Sequence, residues 1–150
     1  MSQDLTQSLA DRVAAAQAAG SALRIQGGGS KTWLGRRVAG EGLAVAGHRG
    51  ILSYEPTELV ITARAGTPLA EIKAALAERG QWLAFEPPHF DARPAPDGRS
   101  GSDSAATLGG TIACGLSGPA RPYAGAARDF VLGVRIINGR GEVLRFGGEV

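Results

Sequence analysis

Cysteine is almost missing from this sequence: Cys114 stands alone among 150 residues. An internal disulfide and a multi-cysteine metal cluster are therefore excluded. Histidine is nearly as scarce, and His48 has no second histidine, cysteine or carboxylate at ligand spacing, so it reads as a surface or structural residue and no metal site is expected. No apolar run approaches the roughly 20 residues of a membrane span, and the N-terminus lacks the apolar core of a secretory signal. Direct membrane insertion is not expected, and the cytoplasm is the default address. An excess of one charge is lacking too. The formal net charge of +2 is small and dispersed, so no nucleic-acid partner is expected although arginines raise the isoelectric point to about 9.1. Finally, no Gly-Lys-Ser/Thr follows the glycines at Walker spacing, which disfavours a nucleotide phosphohydrolase.

What the chain has in excess is glycine, 23 of 150 residues, against an average of about 7%. These glycines cluster between apolar runs without a three-residue period, which indicates tight turns and close backbone approaches rather than collagen. The most suggestive cluster follows Leu23-Arg24-Ile25-Gln26, whose alternation predicts a strand with one buried face. Gly27, Gly28 and Gly29 then let successive backbone N–H groups point into one concavity, a nest that attracts an oxyanion. Ser30 adds a hydroxyl and Lys31 a positive charge, so a phosphate or pyrophosphate is the natural guest. A flexible glycine-rich turn is the competing reading.

Around this loop the pattern is that of a mixed α and β chain. Leu5, Leu9 and Val13 predict an opening helix that Gly20 stops. Trp33-Leu34-Gly35 and Leu43-Ala44-Val45 read as short strands or loop anchors. Ile51 to Tyr54 and Leu59 to Ala63 predict two strands joined by Glu55-Pro56-Thr57-Glu58. Thr67 is expected to cap a helix with Pro68 at its first position, and Leu69, Ile72 and Leu76 share its buried face until Gly80. Trp82 to Phe85 is expected as a strand, stopped by Glu86-Pro87-Pro88, whose stiff backbone suits the wall of a cleft. Residues 89 to 104 read as a polar surface loop in which His89 and Asp91 are weak evidence for a base and its orienter. Phe130 to Ile136 and Val143 to Phe146 predict a hairpin turned by Asn138-Gly139-Arg140-Gly141.

A second unusual stretch runs from Ala105 to Pro119. Leu108, Ile112 and Leu116 recur every fourth residue, as in a short helix, but Gly109, Gly110 and Gly115 would each weaken a helix interior by about 1 kcal/mol relative to Ala. Either a ligand lies against this backbone or another element packs closely on it; both readings stay open.

Six segments in order carry a family resemblance: Gln26 to Ser30, Glu55 to Val60, Ala65 to Leu69, Phe85 to Pro88, Thr107 to Gly110, and Arg128 to Val134. Together they resemble the FAD-binding domain shared by vanillyl-alcohol oxidase and p-cresol methylhydroxylase. Ser117 to Tyr123 and Phe146 to Val150 are most similar to the members that form the FAD-binding subunit of bacterial glycolate oxidases. The resemblance implies an α+β fold of two subdomains with FAD between them: residues 1–80, a small mainly parallel sheet with helices, and residues 81–150, the N-terminal part of a second subdomain built on an antiparallel sheet. It implies that Gln26, Gly27, Gly28, Gly29, Ser30 and Lys31 hold the FAD pyrophosphate. Pro87, Thr107, Gly109, Gly110, Ala113, Gly115, Gly118 and Tyr123 would line the rest of the cleft.

Members that tether flavin covalently place a histidine in the first loop, where this chain has Ser30, so non-covalent FAD is expected. The family domain continues past the position of Val150 and then into a substrate domain, so this chain is expected to be a truncated piece that is not active alone. The function implied is an FAD-binding module of a flavin-dependent 2-hydroxy-acid oxidase or dehydrogenase resembling glycolate oxidase, with a non-catalytic assembly subunit as the alternative. No residue is assigned a catalytic role. The implied partners are the other subunits of such a complex, a second flavin subunit and an iron–sulfur subunit, through which alone the chain would associate with a membrane.

Overall fold

A computed structural model describes residues 4–89 and 106–148. Helix α1 (Thr6–Ala18) precedes strand β1 (Leu23–Gln26), which pairs in parallel with β2 (Glu41–Ala44). Strands β3 (Ile51–Glu55) and β4 (Val60–Ala63) form an antiparallel pair and lead into helix α2 (Leu69–Ala77). After residue 106 come helix α3 (Leu108–Cys114), the single turn α4 (Arg121–Ala124), a 3₁₀ turn at Ala127–Phe130, and the antiparallel hairpin β5 (Gly133–Ile137) and β6 (Val143–Gly147). The first 80 residues thus hold one parallel and one antiparallel pair.

The core follows from the helical stripes. Leu69, Ile72 and Leu76 of α2 are almost wholly buried, each burial worth about 2 kcal/mol over leaving the side chain in water. Gly80, at φ +67°, supplies the left-handed residue that ends the helix, and the Gln81 amide returns to the Leu76 carbonyl. On α1 the buried residues are Leu9, Ala10 and Ala16, while Leu5 and Val13 are half-covered. The small face of α1 lets the β5–β6 turn approach: a Cβ on Gly141 would come within 2.9 Å of the Ala14 methyl. That turn is locked by Asn138, whose Oδ1 accepts the amides of Arg140 and Glu142.

Four expectations are corrected. Trp82 to Phe85 is not a strand: the segment has no ladder partner among the described residues, its chain turns with the Glu86 amide on the Leu83 carbonyl, and Trp82 is 76% exposed while Phe85 is the one deep anchor. Glu86 takes φ +47° there, held as its Oε2 accepts the Ala120 amide at 2.8 Å. Leu59 belongs to the turn, at φ +58°, so the second strand begins at Val60. Phe130 lies in the 3₁₀ turn, its ring 5.4 Å from that of Phe85, because Asp129 and Ser117 accept the Ala126 and Ala127 amides and delay the strand to Gly133. Thr67 does not cap α2. Pro68 occupies the cap position, and the Thr67 hydroxyl is buried, accepting the Gly50 amide at 2.9 Å.

Trp33-Leu34-Gly35 forms a turn, with Leu34 N–H on the Lys31 carbonyl, and Leu43 is the buried anchor of β2. Asp91 and the loop through residue 104 lie outside the described residues, as do Glu149 and Val150.

Candidate functional site

The site begins where β1 ends. Parallel pairing to β2 leaves the chain after Gln26 free to turn, with the Gln26 carbonyl still accepting the Val45 amide at 2.8 Å. Gly29 adopts φ +76°, a conformation that a side chain would strain, and its missing Cβ makes room for the Gln26 amide group. Among the described residues, none of the hydrogen bonds uses the amides of Gly27, Gly28, Gly29 or Ser30 as a donor. These four consecutive donors have no protein acceptor among the described residues, and their half-covered backbone is open to a solvent or ligand oxygen. The Ser30 hydroxyl lies 3.5 Å from the half-buried Lys31 ammonium, and the Ser30 carbonyl anchors the Trp33 indole at 3.2 Å.

The second segment meets this loop at one residue. Thr107 pairs with Pro68 across an antiparallel bridge, fixed by Leu69 N–H on the Ala106 carbonyl and Leu108 N–H on the Thr67 carbonyl. The bridge aims the Thr107 hydroxyl at Gly27, where a Cβ would sit only 2.6 Å from Oγ1. Thr107 also caps α3, its Oγ1 accepting the Gly110 amide at 3.3 Å.

The glycines of α3 divide by role. Gly109 packs on Ala65, where an added Cβ would stand 2.7 Å from the Ala65 methyl, and its amide is spent on the Ala65 carbonyl. Close packing, the second of the two readings of this stretch, thus accounts for Gly109. Gly115 is the left-handed cap that ends α3 at φ +60°. Ala113 is exposed, and Gly118 lies against Glu86, with its amide on the Phe85 carbonyl.

Pro87 and Tyr123 belong to a different place, a shallow, mainly apolar groove of about 740 Å³ that they share with Lys73, Trp82 and Pro119. Tyr123 is 95% exposed at its rim. The structure thus brings Gly27, Thr107 and Gly110 together, and gathers Pro87, Gly118 and Tyr123 separately around Glu86.

The roles of two threonines escaped the sequence reading, which expects Thr67 to cap a helix and gives Thr111 no role. Thr67 braces the site from behind, and Thr111, one turn along α3 from Thr107, buries a hydroxyl with no partner among the described residues. Only the four-residue spacing from Thr107 hinted at Thr111. No group of three or more potential metal ligands occurs among the described residues, and the Nδ1 of His48 accepts the Leu5 amide at 3.0 Å. His89 contacts the Lys73 ammonium on the surface.

Amides open at a strand end beside a threonine-capped helix, in a mixed α and β fold, form an arrangement that can accept the oxygens of a phosphorylated ligand. The solved structure of Phl p 4, a grass pollen allergen with glucose dehydrogenase activity, shares the fold with a TM-score of 0.70 over 97% of this chain and 28% of its own, at 16% sequence identity. The chain belongs to the FAD binding domain family, which it matches over residues 4–92 and 95–147, and FAD is its cofactor. It is also 53% identical over 147 residues to glycolate oxidase subunit GlcE of Escherichia coli strain K12. That match takes in 98% of this chain and 39% of the relative, so the chain spans well under half of the relative's length. No helix among the described residues is long and apolar enough to cross a membrane.

Proposed function

We propose that this chain is the FAD-binding module of a subunit in a glycolate-oxidase-like complex. The observation that carries the reading is the row of amides from Gly27 to Ser30 with no protein acceptor among the described residues, Gly27 lying against Thr107, joined to 53% identity with a glycolate oxidase subunit. When bound, FAD supplies the electron acceptor for oxidation of a 2-hydroxy acid. The chain's own part is to bind and orient. The amides of Gly27, Gly28, Gly29 and Ser30 donate to the diphosphate, and the Ser30 hydroxyl and Lys31 ammonium add a donor and a countercharge. Thr107 and the first turn of α3 form the facing wall. Ser30 offers no imidazole for a covalent link, which supports a dissociable cofactor. Residues 1–80 and 81–150 act as the two sides of the cleft. No acid or base role is assigned to any of the described residues. A second flavin subunit and an iron–sulfur subunit are the proposed partners, and they provide any attachment to a membrane.

The test is titration of the purified protein with FAD, following flavin fluorescence and the absorbance of the material retained after gel filtration. Stoichiometric, acid-releasable FAD is expected. Absence of binding by this chain and also by the full-length subunit would replace this reading with that of a scaffold retaining the fold.

A further inference from the structure

Outside the cofactor site, one histidine joins two parts of the chain far apart in sequence. Leu5 holds the cap position before helix α1 and offers no side-chain oxygen to its first turn. The open amides are satisfied from elsewhere: Thr6 N–H donates to Asp4 Oδ1 at 2.9 Å, and Leu5 N–H donates to His48 Nδ1 at 3.0 Å, across 43 residues. An acceptor at Nδ1 fixes the neutral imidazole with its proton on Nε2. His48 is held rigidly by its own backbone, since its amide reaches the Val45 carbonyl and its carbonyl accepts the Gly66 amide at 2.8 Å.

We propose that His48 is a proton-sensitive clasp for helix α1: protonation of Nδ1 removes the acceptor for Leu5 N–H and turns the ring to donate to Asp4 Oδ1, 3.8 Å away, releasing the first turn. An imidazolium at the N-terminus of α1 also opposes the positive end of the helix dipole. The charged groups around the ring are Asp4, Arg64 and Arg135, and Asp4 is itself bound to Arg64 at 3.1 Å. Burial holds the His48 pKa below its ordinary value of 6.5; Asp4 opposes that shift, while Arg64 and Arg135 reinforce it. A base with a lowered folded pKa stabilises the fold fully above about pH 6.5, and that contribution is lost as pH falls below this value toward the folded pKa. The clasp is therefore closed near neutral pH and opens in mild acid.

The experiment is a pH titration of the ¹⁵N-labelled chain by NMR from pH 8 to 5, reading the His48 ring nitrogens and the exchange protection of the Leu5 and Gly66 amides. The expected result is an unprotonated Nδ1 at pH 8. As His48 titrates, Leu5 protection should fall about tenfold, the equivalent of one hydrogen bond, while Gly66 keeps its own. In His48→Asn, whose Oδ1 accepts without titrating, Leu5 protection should not follow pH. A proton on Nδ1 at pH 8, Leu5 protection that ignores pH, or an equal loss in His48→Asn would each overturn the proposal. Should that variant fail to fold, the wild-type ring tautomer and Leu5 profile decide alone.

Discussion

Gly27 and Thr107 face each other so closely that a methyl group on Gly27 would lie 2.6 Å from the Thr107 hydroxyl. Gly27 is not among the glycines with positive φ, so alanine fits its backbone and the collision alone decides the outcome. Gly27→Ala should destabilise the protein by about 1–3 kcal/mol, as overpacking does. Thr107→Ala should cost about 1 kcal/mol through the lost α3 cap. Because the second change removes the atom that the first one strikes, the double variant should be more stable than the sum of the two losses predicts. Urea denaturation of the four proteins measures the coupling, and strict additivity would refute the contact.

The same contact shows how far the sequence could be read. The extended segment at Leu23–Gln26, the three glycines and the α2 stripe were legible as local patterns, with Leu69, Ile72 and Leu76 at helical spacing, but the buried face expected from the alternation in β1 is not there: Ile25 is 73% exposed and Leu23 only half-covered. That Thr107 would meet Gly27 was not legible from spacing, since the bridge to Pro68 that aims it joins residues 39 positions apart. Trp82 to Phe85 misled for the same reason. Its apolar content promised a strand, yet a strand requires a neighbour, and what the fold provides is a pocket for Phe85 alone beside Phe130. Glycine also carried two meanings that composition cannot separate, an open amide at Gly28 and a tight packing contact at Gly109.

Thr67 and Gly50 form the brace behind the site, the hydroxyl accepting one backbone amide in a fully buried position. Thr67→Val keeps the shape and leaves the Gly50 N–H unpaired, which should cost about 1–3 kcal/mol. Thr67→Ser keeps the bond and should cost about 1 kcal/mol or less for one methyl group. Thermal or urea unfolding of both variants distinguishes the two. Equal losses would mean that packing, and not the hydrogen bond, matters at this position.

Asp4 should make the protein sensitive to strong acid. Its carboxyl is held well below the usual carboxylate range, chiefly by hydrogen bonds from the Thr6 side chain and amide and then by Arg64. For an acid with a lowered folded pKa, the stabilising contribution is complete above its ordinary value of 3.8 and declines as pH falls below it. Urea midpoints measured between pH 5 and pH 2 should therefore fall more steeply in the wild type than in Asp4→Asn. Because Asp4 is exposed, added salt should narrow the difference between them.

The cofactor reading predicts that Gly29 and Lys31 act on FAD in different ways. Gly29 sits at φ +76° with the Gln26 side chain against it, so Gly29→Val must move the loop and disperse the four amides. Lys31 contributes charge and leaves the amide geometry alone. Lys31→Ala should weaken FAD binding about five- to tenfold, a loss that shrinks in high salt, whereas Gly29→Val should weaken it more and independently of salt. Fluorescence titrations at two ionic strengths, run beside a urea curve for each variant, read both effects and exclude unfolding as their cause. If the two variants lose affinity equally with one common salt dependence, the diphosphate is held by charge, and the amide nest is not its seat.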